Sequence, residues 1–146
     1  MKKALPLRLI LVDAPANLDY GVQRGRGADG EPMFVQQRKR GDVVFDFSVT
    51  VDDDGKDSRP RFSGEFVQGT PARRFIYIAV GTYAGQANTP WSRRMIVLLE
   101  GITRKQVAEA ITHGHCLSVR IPGTGKDGGP NCATVQFIDG WQICRR

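Results

Sequence analysis

Val43-Val44-Phe45-Asp46-Phe47-Ser48-Val49-Thr50-Val51 is the run that decides the fold. Val43, Phe45, Phe47, Val49 and Val51 are apolar and alternate with Asp46, Ser48 and Thr50, with Val44 the exception on the polar side. A period of two puts the first set on one face of an extended backbone and the second set on the other. β-Branched and aromatic residues also suit a pleated, half-buried surface. The run is a strand with one face in a core and the other toward water.

The same logic extends in both directions. Leu5, Leu7, Leu9 and Leu11 alternate within a first strand at residues 5–12. Residues 13–31 are turn-rich, with glycines at 21, 25, 27 and 30 around a weaker strand signal at 20–23, and another weak signal lies at 33–38. Asp52-Asp53-Asp54-Gly55 turns the chain, and residues 61–67 return as a strand. The acidic run is not a calcium loop: with Gly55 at the glycine position, Arg61 stands where a bidentate glutamate is required. Residues 74–80 and 93–99 carry apolar side chains at both parities, as central strands do. Residues 117–121, 132–138 and 141–143 complete the series. The 17 glycines in 146 residues, without a collagen period, fit a chain of many tight turns.

One segment has a different period. Thr103 and Gln106 form a T-x-x-Q capping box, and Ile102 and Val107 occupy the positions of a hydrophobic staple around it. Val107, Ala110 and Ile111 make an apolar stripe, and Gly114 supplies a left-handed terminator. The spacing predicts a helix at about 104–113. The fold expected is therefore a single domain over 1–146, mainly β, barrel- or sandwich-like, with one α-helix near 103–113. A closed or nearly closed sheet with a helical plug or cap is the form that one helix among many strands suggests.

The longest apolar runs, 75–80 and 95–99, fall far short of the ~20 residues that span a bilayer, so no membrane partner is expected. The N-terminal Met1-Lys2-Lys3 imitates a secretion signal, but Pro6 and Arg8 interrupt the apolar region, and it reads as part of the fold. Three cysteines, Cys116, Cys132 and Cys144, are an odd number in a chain able to build its own core. They are expected to be reduced thiols in a cytoplasmic protein. The net charge of +6 comes in arginine-rich clusters at 24/26, 38–40, 73–74, 93–94 and 145–146. Without a recognition motif, such clusters support at most weak, non-specific nucleic-acid binding. Paired arginines also keep sheet edges in solvent.

Motifs that carry chemistry are few. Residues 122–130, Pro-Gly-Thr-Gly-Lys-Asp-Gly-Gly-Pro, contain G-x-G-x-x-G, but a β-type run follows where a dinucleotide site needs a helix. Lys126 precedes Asp127 rather than Ser or Thr, so a phosphate loop of the nucleotide-hydrolase type fails as well. The segment reads as a strand connector, with an anion cradle around Lys126 as its functional alternative. His113, His115 and Cys116 lack the paired spacing of a zinc site, and no metal or cofactor is expected. A cysteine nucleophile, Cys116 or Cys132, with a histidine base would need a geometry that spacing does not define.

The loop at 81–92 is long enough to serve a function. Tyr83 and Trp91 offer flat apolar faces, and Gln86, Asn88, Arg93 and Arg94 offer directional donors. Arg24 is a further candidate from the glycine-rich segment. The site expected here takes a small anionic ligand, with Trp91, Arg93, Arg94, Tyr83, Arg24 and Lys126 as its residues. The competing reading makes Trp91 a cap on one end of the barrel.

Several strings together, Gly21 to Gly27 (GVQRGRG), Phe66-Val67-Gln68-Gly69, Arg74-Phe75-Ile76-Tyr77, Trp91-Ser92-Arg93-Arg94 and the stretch 122–133, resemble a family of small bacterial proteins classed as a domain of unknown function. The resemblance runs over nearly the whole chain, with Thr70 standing where a further proline is expected. It implies a compact bacterial cytosolic protein and transfers no catalytic residue. The function expected is a non-enzymatic binding module for a small anionic or polar ligand. The alternatives are an enzyme using Cys132 or Asp127 near the glycine-rich loop, and a basic nucleic-acid or protein-interaction adaptor.

Overall fold

Two long strands, each flanked on one side by a single partner and on the other by two short ones, organise the molecule. A computed structural model describes residues 2–14, 16, 18–24, 32–33, 36–53, 59–82, 93–122 and 135–145. In chain order the strands are β1 (Lys2–Val12), β2 (Leu18–Gln23), β3 (Pro32–Met33), β4 (Gln36–Lys39), β5 (Asp42–Asp52) and β6 (Arg61–Ser63). They continue as β7 (Val67–Thr70), β8 (Arg73–Thr82), β9 (Arg93–Leu98), β10 (Cys116–Pro122), β11 (Val135–Phe137) and β12 (Gln142–Cys144). A 3-10 turn, Leu99–Gly101, and the helix α1 (Arg104–His113) lie between β9 and β10.

The first sheet runs β12-β10-β1-β5-β4, with β6 also on β5. The second runs β11-β9-β8-β2-β3, with β7 also on β8. The fold is thus a sandwich-like pair of six-stranded sheets with a single helix, not the closed barrel that was one of the forms expected. The inner faces share one core: Leu5, Leu7, Leu9, Leu11, Val43 and Phe45 meet Tyr20, Val22, Ile76, Ile78, Met95 and Val97. Each such side chain contributes about 1.5–3 kcal/mol by leaving water.

β5 has the faces its alternation predicts. Val43, Phe45, Val49 and Val51 are buried, Phe47 is half-buried, and Asp46 and Ser48 are exposed. Val44, the apparent exception, is also buried, on the face opposite that core. β1 is antiparallel to β5 and parallel to β10. Pro6 lies opposite Ser48 of β5, one residue before the β10 ladder begins at Leu7. Arg40 and Gly41, with φ of 52° and 85°, make the two-residue turn between β4 and β5, a left-handed conformation suited to the strand twist.

Two expected strands are each divided between the sheets. Residues 61–67 hold β6, paired with β5, and the first residue of β7, paired with β8. Gly64, at φ 139°, allows the change of direction. Residues 33–38 likewise divide between β3 and β4, which lie in different sheets. Alternation identifies extended backbone but does not say which sheet receives it.

The helix matches its sequence signals. Thr103 Oγ1 accepts from the Gln106 N–H at 3.1 Å, and Gln106 Oε1 accepts from the Thr103 N–H at 3.0 Å. Gly114 closes it at φ 64°. Val107 and Ala110 are buried and Ile111 is half-buried against the core.

The thiol expectation is corrected. Cys116 and Cys144 are directly opposite in the β10–β12 ladder, with Cα atoms 5.0 Å apart, and form a disulfide. Strand pairing alone sets this up, since facing residues of an antiparallel pair lie within disulfide reach. No helix among the described residues is long and apolar enough to cross a membrane.

Candidate functional site

The first residues of β8 and the turn before them build one side of a cleft. Pro71 and Ala72 form the turn between β7 and β8, where Thr70 pairs with Arg73. Just before the turn, Gly69 has φ 99°, and a Cβ there would overlap the Arg73 carbonyl oxygen and press on the Phe75 ring. Only glycine fits this position without strain. The Gly69 carbonyl in turn accepts from Arg74 Nη1 at 2.8 Å. The half-buried Arg74 guanidinium is thereby oriented by backbone, while its remaining donors have no protein partner among the described residues.

β6 and the segment before it supply the opposite side. Pro60 and Phe62 are buried, and Arg59 and Arg61 are exposed at the rim. The 3-10 turn closes the base with Glu100 and the buried Ile102 after it. The cleft so formed has a volume of about 280 Å³. Its charged lining is Arg59, Arg61, Arg74 and Glu100, so 3 − 1 leaves a surplus of two positive charges. Glu100 is the internal counter-ion: Arg59 Nη1 lies 2.8 Å from Oε2, and Arg73 Nε lies 3.6 Å from Oε1. Arg73 also donates to Gln136 Oε1 at 2.9 Å.

Apolar walls under a cationic rim have a definite chemical consequence. Guanidinium forks hold carboxylate or phosphate oxygens through paired N–H donors. Pro60, Phe62, Pro71 and Ile102 favour an apolar body over a fully hydrated inorganic ion. Half-buried donors act at a lower effective dielectric than exposed ones, which strengthens each contact.

The sequence pointed to the far end of the same sheet. β8 has ten residues, so its two ends lie about 30 Å apart at ~3.3 Å per residue. Arg93 and Arg94 pair with Val80 and Ala79 near the end of β8 remote from the cleft. Trp91, Tyr83 and Lys126 lie outside the described residues, as do Gln86, Asn88, Asp127 and Cys132. Arg24 is exposed and pairs with Glu65 at 3.2 Å. Val22 faces Ile78 while Arg93 faces Val80, so the backbone at Arg24 sits about four residues, or ~13 Å, along the sheet from Arg93.

The chain matches the family model for a family of unknown function, DUF5990, over residues 5–144. It belongs to that family. Neither the curated proteins nor the solved structures give a significant match. The resemblance seen in the strings above is thus a membership, and it brings no activity to this DUF5990 chain.

His113 and His115 have ring centroids 5.8 Å apart, and Cys116 beside them is disulfide-bonded. No cluster of three metal-binding side chains occurs among the described residues. Arg8 spans the outer face of the first sheet to Asp46, Nε to Oδ1 at 2.7 Å. That hydrogen bond holds the Arg8 guanidinium above its ordinary pKa despite partial burial. In the sequence, Arg73-Arg74 is one of several basic pairs. Arg59, Arg61 and Glu100 carried no local signal, because the cleft is assembled from three distant segments.

Proposed function

We propose that this protein is a non-enzymatic binding module for a small organic anion, a carboxylate or phosphate monoester on an apolar body. The observation that carries the reading is the backbone-held Arg74 guanidinium at a cleft with two further arginines and apolar walls. Glu100 supports it as an internal carboxylate between Arg59 and Arg73, marking where an external one gains contacts. The partner class is that expected from the sequence, and the seat is moved to the opposite end of the second sheet.

Isothermal titration with benzoate and with phenyl phosphate, against acetate as the control lacking an apolar body, tests this. Arg74→Lys should weaken benzoate about tenfold, because a point charge replaces a fork. Benzoate binding unchanged in Arg74→Lys but weakened in Arg93→Lys or Arg94→Lys would move the seat to the Trp91 end.

A further inference from the structure

After β11 the chain crosses from the second sheet to the first through residues 138–141 and ends as β12. This C-terminal strap rests on the turn that carries Glu100. Trp141 Nε1 donates to the buried Leu98 carbonyl at 3.3 Å. Gly101 lies so close beneath Ile138 that a Cβ on it would overlap the Ile138 carbonyl oxygen. Gln106 Nε2 donates to the Trp141 carbonyl at 2.7 Å, tying the strap to α1 as well. One residue before the strap begins, Phe137 follows Gln136, whose side chain holds Arg73 beside the cleft.

The strap's far end is held more thinly. β12 has three residues and, among the described residues, pairs with β10 alone, at Cys116↔Cys144, Leu117↔Ile143 and Ser118↔Gln142. A ladder that short contributes little by itself. The Cys116–Cys144 disulfide supplies the covalent link. Cys144 is half-buried, and Cys116, itself buried, borders an outer cleft of about 320 Å³ with Pro6, Arg8, Asp46 and Ser48.

We infer that the Cys116–Cys144 disulfide is a reversible redox clip, whose reduction by a dithiol releases the C-terminal strap and loosens the Glu100 side of the arginine cleft. The effect on ligand rests on the cleft being the anion site; the release of the strap does not. A thiolate of the dithiol attacks the Cys144 sulfur, forming a mixed disulfide and expelling the Cys116 thiolate, which takes a proton. The second thiol of the reagent then attacks the mixed disulfide and frees Cys144. Two electrons and two protons pass to the protein, and the dithiol leaves as its own disulfide.

Hydrogen exchange of the full chain, with and without dithiothreitol, reads the clip directly. Amides at 98–102 and 138–144 should exchange about fivefold faster or more after reduction, with β1 and β5 unchanged. The double variant Cys116→Ala/Cys144→Ala should exchange at the fast rate in both conditions. Equal exchange at 98–102 in the two redox states overturns the proposal, as does finding all three cysteines free in protein prepared without reductant. Benzoate titration in parallel should show affinity about fivefold weaker on reduction. Equal affinity in both states overturns the coupling while leaving the cleft reading intact. Absence of benzoate binding in either state defeats the cleft reading, and the exchange result then decides the clip alone.

Discussion

The helix Arg104–His113 and the arginine cleft adjoin the same 3-10 turn but encode their structure in opposite ways. The helix is written in consecutive residues: Thr103 and Gln106 close the capping box, and Gly114 ends it. The cleft joins residues 59–62, 71–74 and 100–102, which meet only because β6 and β7 belong to different sheets. Local hydrogen bonds make the first stable, so its substitutions should act on folding. Long-range placement makes the second, so its arginines should act on ligand with little effect on folding.

The sharpest break of this contrast falls between the two, at Gly101. Gly101→Ala drives a Cβ into the Ile138 carbonyl and should destabilise by about 3 kcal/mol, read as a lower denaturation midpoint. Near wild-type stability there would mean that the strap does not rest on the turn. Arg74→Lys should come next, a loss of about tenfold, or ~1.4 kcal/mol, in benzoate affinity. Thr103→Ala should cost about 1 kcal/mol of stability by removing the cap, without changing benzoate affinity. A midpoint unmoved at constant slope would show that the Thr103 hydrogen bond is not stabilising. Asp46→Asn should have the smallest effect, about 0.5 kcal/mol and diminishing with salt, because the Arg8–Asp46 pair is over one-third exposed on both sides. A loss several times larger would mark that outer face as structurally critical.

What the sequence made legible follows the same division. Alternation at 43–51 and at 5–11 identified both long strands of the first sheet and their buried faces. The helix was readable nearly to the residue because its start and stop signals are local. Sheet membership was not readable: residues 61–67 show one alternating run, yet Gly64 sends its two halves to different sheets. The Cys116–Cys144 pair was hidden for the same reason, since it depends on β12 returning beside β10. Trp91 stands out in sequence beside Arg93 and Arg94, whereas Glu100 and Arg59, 41 residues apart, have nothing in sequence to join them.

Charge offers a further contrast between a diffuse surface and a built site. Weak, sequence-indifferent nucleic-acid binding that disappears with salt is expected from scattered arginine pairs, read by fluorescence anisotropy across a salt series. Submicromolar, sequence-selective binding at physiological salt would make the basic surface, not the cleft, the functional feature.

The most direct measurement is a benzoate titration of the isotope-labelled protein followed by amide NMR. Saturable shifts should concentrate at residues 59–62, 69–74 and 98–102, with the amides of β1 and of Arg93 and Arg94 unmoved. Saturable shifts centred on residues 93–94, or on the outer face at Arg8 and Asp46, with the cleft amides silent, would contradict it.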